Sequence, residues 1–172
     1  MAERPAFIRH WRELLGNDDL SYPGSRERLS VGANFGKAFG LKRVGFNYEI
    51  LPPGRRTSWP HAERDEEEFV YVIEGAPDAW IDGVLYRLEP GDAVGFPAGT
   101  GIAHTFINNT QQDVCLLVGG ERSRPDSACH YPLHSRRNAE IGECHWEDAP
   151  THLAGDHDGL PDALRANPVD PD

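Results

Sequence analysis

Two short stretches of this chain hold nearly all the side chains that could do chemistry together. The first is Trp59-Pro60-His61-Ala62-Glu63, followed by Glu68; the second is centred on His104. Along an extended strand side chains alternate, so His61 and Glu63 share one face while Ala62 faces away. Glu68 shares its face with Val70 and Val72, which sets a carboxylate beside two inward aliphatics, and a carboxylate so placed needs a cation. His104, with Phe106 and Asn108 on its face, completes a set of two imidazoles and two acids. Such a set suits one divalent ion, Zn²⁺, Mn²⁺ or Fe²⁺, and two histidines with one carboxylate also meet the facial pattern of non-haem iron. Glu63 has a second reading, as a general base held off the metal, because an apolar enclosure raises a carboxyl pKa toward neutrality. The plainer alternatives are structural histidines on strands and a solvated Glu63 in the acidic run that ends at Glu68, where Asp65, Glu66 and Glu67 read as loop charges.

These residues can converge only if several strands close around them. Val44, Phe46, Tyr48 and Ile50 alternate with Gly45, Asn47 and Glu49, a half-buried strand stopped by Pro52-Pro53-Gly54. Phe69 to Ile73 is dense in β-branched and aromatic residues and ends at Glu74-Gly75. Asp82-Gly83, between Ala79-Trp80-Ile81 and Val84-Leu85-Tyr86, predicts a hairpin with a type I′ turn. Further strands are predicted at Ala93–Phe96, His104–Ile107 and Val114–Val118, and short strands at regular spacing point to a sandwich or barrel. Ahead of them, Phe7, Ile8, Trp11, Leu14 and Leu15 have helical spacing, which predicts a short helix packed outside the barrel. Beyond Gly120 periodicity disappears, and 167–172 reads as poorly ordered.

The two stretches together resemble the motifs of the cupin superfamily. Gly54, His61-x-Glu63, Glu68 and Gly75 follow its first motif; Gly91, Pro97-Ala98-Gly99, His104 and Asn108 follow its second. There are two departures: a two-residue expansion at Pro97–Gly101, and Glu63 standing where the pattern has a second histidine. The resemblance covers roughly 42–118 and implies an all-β, double-stranded β-helix (jelly-roll) barrel. A short N-terminal helix precedes it and an irregular C-terminal tail follows, the whole forming one domain with 1–41 as helix and edge segments, 42–119 as barrel core and 120–172 as a tail partly covering it. It also implies a homodimer, since edge strands need cover.

Bulk properties agree with a small protein of many turns: 172 residues, with 18 Gly and 14 Pro. A formal net charge of −11 disfavours nucleic acid and anionic lipid as partners. The start lacks the apolar run of a secretory signal and no stretch of about eighteen apolar residues occurs, so a cytoplasmic address is expected. Cys115, Cys129 and Cys144 lack CxxC spacing and read as reduced thiols. Adjacent Cys129-His130 and Cys144-His145 lack the spacing of structural zinc motifs, and Pro132 disfavours a helical His130/His134 pair. Trp59, Tyr48, Phe96, Phe106 and Asn108 are the candidate lining of a substrate pocket, and Arg55 and Arg56 either meet an anionic substrate or decorate a surface turn. The expected function is metal-dependent action on a small polar or anionic substrate (sugar or carboxylate), of isomerase or lyase type. The alternatives are a non-haem iron dioxygenase and a non-catalytic small-molecule sensor.

Overall fold

In the computed structural model, residues 4–152 and 155–166 are described. Strands form at β1 (Val31–Asn34), β2 (Val44–Leu51), β3 (Ala62–Glu63), β4 (Glu68–Glu74), β5 (Asp78–Ile81), β6 (Val84–Arg87), β7 (Ala93–Phe96), β8 (His104–Ile107), β9 (Val114–Glu121) and β10 (Cys129–His130). Short helices are α1 (Trp11–Leu14), α2 (Phe35–Ala38), α3 (Ser135–Ile141) and α4 (Asp162–Ala166). All strand pairings are antiparallel: one sheet runs β1-β2-β9-β4-β7, a second β6-β5-β8, and β3 pairs with β10. The result is the expected all-β jelly-roll barrel with a few short helices.

The core follows from strand alternation. Val70 and Val72 of β4 turn inward with Leu51, Phe96, Val114 and Leu116 and meet Ala79 and Phe106 from the facing sheet. Phe69, Tyr71 and Ile73 turn outward, as the period of two requires. Between β5 and β6, Asp82 (φ 46°) and Gly83 (φ 87°) both take positive φ, the type I′ turn predicted for the hairpin.

The second sheet is covered on both faces at β5 and β8, so that every residue of β8 is buried, while β6 remains partly open. Its outer face carries Ala62, Trp80, Ala103 and Ile107, and residues of the C-terminal segment, Ala128 and Trp146, close over them. Trp80 Nε1 donates to His157 O at 2.8 Å. Arg56, 1% exposed, donates to both Glu27 carboxylate oxygens at 2.6 and 2.7 Å and to Gly159 O at 2.8 Å. The segment expected to be irregular therefore carries β10, α3, a 3-10 turn at Gly142–Cys144 and α4. Residues 167–172, read as poorly ordered, lie outside the described residues.

The N-terminal helix is shorter than its spacing predicts. Phe7 and Ile8 are exposed and find no core to join, while Trp11 stacks on Tyr48 with ring centroids 4.6 Å apart. Helical structure survives only where that packing supports it.

Candidate metal centre

One backbone pairing brings the two histidines together. After the turn at Gly54 the chain runs antiparallel to β8: Thr57 N donates to Phe106 O at 2.9 Å, and His61 and His104 exchange both backbone hydrogen bonds, at 3.2 and 2.9 Å. Residues paired in this way project side by side from one face, and their rings lie 5.1 Å apart. Glu68 reaches in from the facing sheet: its Oε2 is 3.1 Å from His104 Nε2 and 3.8 Å from His61 Nε2. One ligand atom from each of His61, Glu68 and His104 lies within 4.8 Å of the others.

Hydrogen bonding at the far nitrogens sets what these rings present. His61 Nδ1 lies 2.9 Å from Trp59 O, and His104 Nδ1 lies 3.4 Å from Ile102 O. A carbonyl can only accept, so the ring proton is assigned to Nδ1 and each Nε2 lone pair faces the carboxylate. Two acceptors facing one another at 3.1 Å would be held together by a shared cation, and a set of two imidazoles and one carboxylate would suit a small divalent ion. Phe96 stacks flat on His104, centroids 3.5 Å apart at 6°, and fixes its plane. Burial pushes the His104 pKa down, which favours the neutral ligand form, while the Glu68 carboxylate beside it acts in the opposite sense. For Glu68 burial acts upward, but His104 and His61 beside it outweigh that and hold the carboxyl below its usual range.

Glu63 stands beside this group rather than within it. Its Oε1 is 3.6 Å from His61 Nε2, and its backbone carbonyl accepts from Gly99 N at 3.0 Å, so the expanded turn after β7 braces it. Burial pushes its carboxyl up to about 7, opposed by His61 and reinforced by Glu68, Glu66 and Asp65.

A cavity of about 260 Å³ opens in front of the histidines and Glu68, and Phe106 is among its walls. The other four candidate lining residues are placed elsewhere. Tyr48 points out of the barrel toward Trp11. Trp59 is buried between Tyr22 and His134, its indole N–H bonded to Glu27 at 2.9 Å. Phe96 backs His104. Asn108 is fully buried and donates to Leu51 O and Gln112 O at 2.8 and 2.7 Å, pinning the turn after β8. In their place Asn47, Glu49, Thr57, Ser58 and Tyr22 line the cavity. Asn47 and Glu49 were legible as the polar half of the β2 alternation; Tyr22 had no sequence signal. Arg55 and Arg56 do not line it: Arg55 binds both oxygens of Asp18, and Arg56 is committed to Glu27. At the C-terminal end His130 Nδ1 and His145 Nε2 do meet, at 3.2 Å, but no third ligand atom completes a metal group there among the described residues.

An antiparallel jelly roll with two histidines and a glutamate gathered inside it is a cupin-like arrangement. A family model for the cupin domain matches residues 47–119, and over that stretch the chain is similar to the cupin superfamily. Among solved structures it is 33% identical to a candidate sugar phosphate isomerase from Acidithiobacillus ferrooxidans (TM-score 0.56, covering 60% of this chain and 65% of that one). It is 35% identical to a sugar phosphate isomerase of the cupin superfamily from Silicibacter pomeroyi (TM-score 0.57, covering 59% and 64%). The match thus spans a little under two thirds of each of those two proteins. The polyketide cyclase RemF from Streptomyces resistomycificus shares the fold at 20% identity (TM-score 0.57, covering 84% and 96%). No curated protein matches the sequence. Among the described residues no helix is long and apolar enough to cross a membrane.

Proposed function

We propose that the chain is a metal-dependent cupin that acts on a small polar substrate of sugar or carboxylate type, with isomerase- or lyase-type chemistry. The observation that carries the reading is the pair of Nε2 atoms of His61 and His104, each with its Nδ1 set against a carbonyl, facing the Glu68 carboxylate. His61, Glu68 and His104 would hold the ion, with Glu63 beside them. When bound, a divalent ion supplies Lewis acidity toward a carbonyl or a pair of oxygens. The protein's own part is then proton movement and orientation. Glu63, poised near 7 by burial, takes or returns a proton at its Oε1, while Phe106 and Val70 exclude water from one side of the cavity. The two structures named as sugar phosphate isomerases support this class.

A second reading, a non-haem iron dioxygenase, draws on the same three residues, because two histidines and one carboxylate form the facial pattern such iron uses. Elemental analysis of protein purified without added metal, repeated on His104→Ala and Glu63→Ala, separates the readings. About one equivalent of zinc or manganese, lost in His104→Ala and retained in Glu63→Ala, is expected. Stoichiometric iron favours the oxygenase, and wild-type protein without metal leaves a non-catalytic binder.

The working unit in this proposal is a homodimer. Phe69, Tyr71 and Ile73 support it, since they project from one face of β4 at 44%, 42% and 42% exposure.

A further inference from the structure

The wall of the cavity contributed by β2 is chemically unlike the one that gathers the histidines. Asn47 and Glu49 project inward from alternate positions of the strand and line the same space. Ser30 Oγ donates to Glu49 Oε2 at 2.6 Å, and Asn47 Nδ2 reaches Glu49 Oε1 at 3.4 Å. These bonds fix the Asn47 amide so that its Oδ1 is buried with no hydrogen-bond partner. An acceptor without a partner in the protein takes its hydrogen bond from a donor outside it. The donors that fit are hydroxyl or N–H groups of a ligand occupying the cavity.

The charge around the same space restricts the ligand further. No lysine or arginine lines the cavity among the described residues, whereas Glu49 and Glu68 do, with Glu63 nearby. Arg55 and Arg56, which precede His61, are held by Asp18 and Glu27, and Arg64, which follows it, pairs with Asp65. With Glu49, Glu63 and Glu68 around the space and no basic side chain lining it among the described residues, a phosphate would enter without a protein partner.

We propose that Asn47 and Glu49 form a hydroxyl-recognition subsite that selects an uncharged, polyhydroxylated molecule and discriminates against its phosphorylated form. The proposal rests on the reading of this cavity as a substrate site, and it narrows the substrate class. Burial pushes the Glu49 carboxyl above its usual range, against the bonds from Ser30 and Asn47, which favours a form able to donate as well as accept.

Saturation-transfer NMR with D-ribose and D-ribose 5-phosphate, on protein stripped of metal by a chelator, tests this. Transfer to D-ribose is expected, with binding of the phosphate weaker by roughly tenfold. Asn47→Leu should weaken D-ribose binding about fivefold, and the isosteric Glu49→Gln should weaken it as well while keeping the fold, judged by circular dichroism. Equal or tighter binding of the phosphate, D-ribose binding unchanged in both variants, or no transfer to either sugar overturns the proposal. Because the protein is metal-free, such a failure leaves the metal reading standing, and loss of that reading by elemental analysis leaves the sugar result intact.

Discussion

Glu63 is the residue at which this chain departs from the motif it otherwise follows, and its protonation is open to measurement. A carboxyl whose pKa rises on folding from 4.5 to about 7 favours the folded state while protonated. Its contribution is complete below pH 4.5 and is lost as pH climbs through 7, a change of about 3 kcal/mol for metal-free protein. His104, whose pKa burial pushes down, acts in the opposite sense, since its contribution is lost as pH falls below the ordinary histidine range. The measurable quantity is therefore a difference: urea unfolding of metal-free wild type and Glu63→Gln between pH 4.5 and 7.5 should show the wild type losing stability relative to the variant as pH rises. A flat difference would place Glu63 in water. The sequence placed His61, Glu68 and His104 together through strand parity and motif spacing. It could not show Glu63 set to one side, because one face of a strand does not specify how far each side chain reaches.

At the scale of elements, alternation located strands well and was less informative about which side of them faces inward. In β4 the aliphatic half points in, as burial of apolar surface favours. In β2 the halves are reversed: Asn47 and Glu49 line the cavity, while Phe46 and Tyr48 pack outward beneath Phe35 and Trp11. A strand that walls a polar cavity on one side and is roofed by helices on the other has the same period as one facing a dry core, so period alone does not separate them. The β5–β6 hairpin was legible in full, because Asp-Gly between alternating segments leaves few other conformations. Gly83 has positive φ, and a Cβ there would also drive into the Gly155 carbonyl. Gly83→Ala is accordingly expected to cost about 2 kcal/mol or more in urea unfolding, whereas Gly95→Ala, where a Cβ meets open space, should cost less than half of that.

Across the whole molecule, the five-stranded sheet leaves Phe69, Tyr71 and Ile73 in the open while the facing sheet is roofed by the C-terminal segment. If a second copy covers the open face, Tyr71→Glu should shift the protein to monomer in sedimentation velocity and weaken association by at least about tenfold, with metal content unchanged. A wild type that sediments as a monomer at micromolar concentration would remove the dimer. A tail partly covering the barrel is expected from the sequence, but not which residues make the contacts, since they come from Pro- and Gly-rich chain with no period to read.

The guanidinium of Arg56 obtains its carbonyl partner from Gly159, 103 positions further along the chain. Every barrel strand precedes that partner in the chain, so until the partner is made this cation has Glu27 but not its third hydrogen bond. Completion of this buried cluster is therefore a late event in assembly.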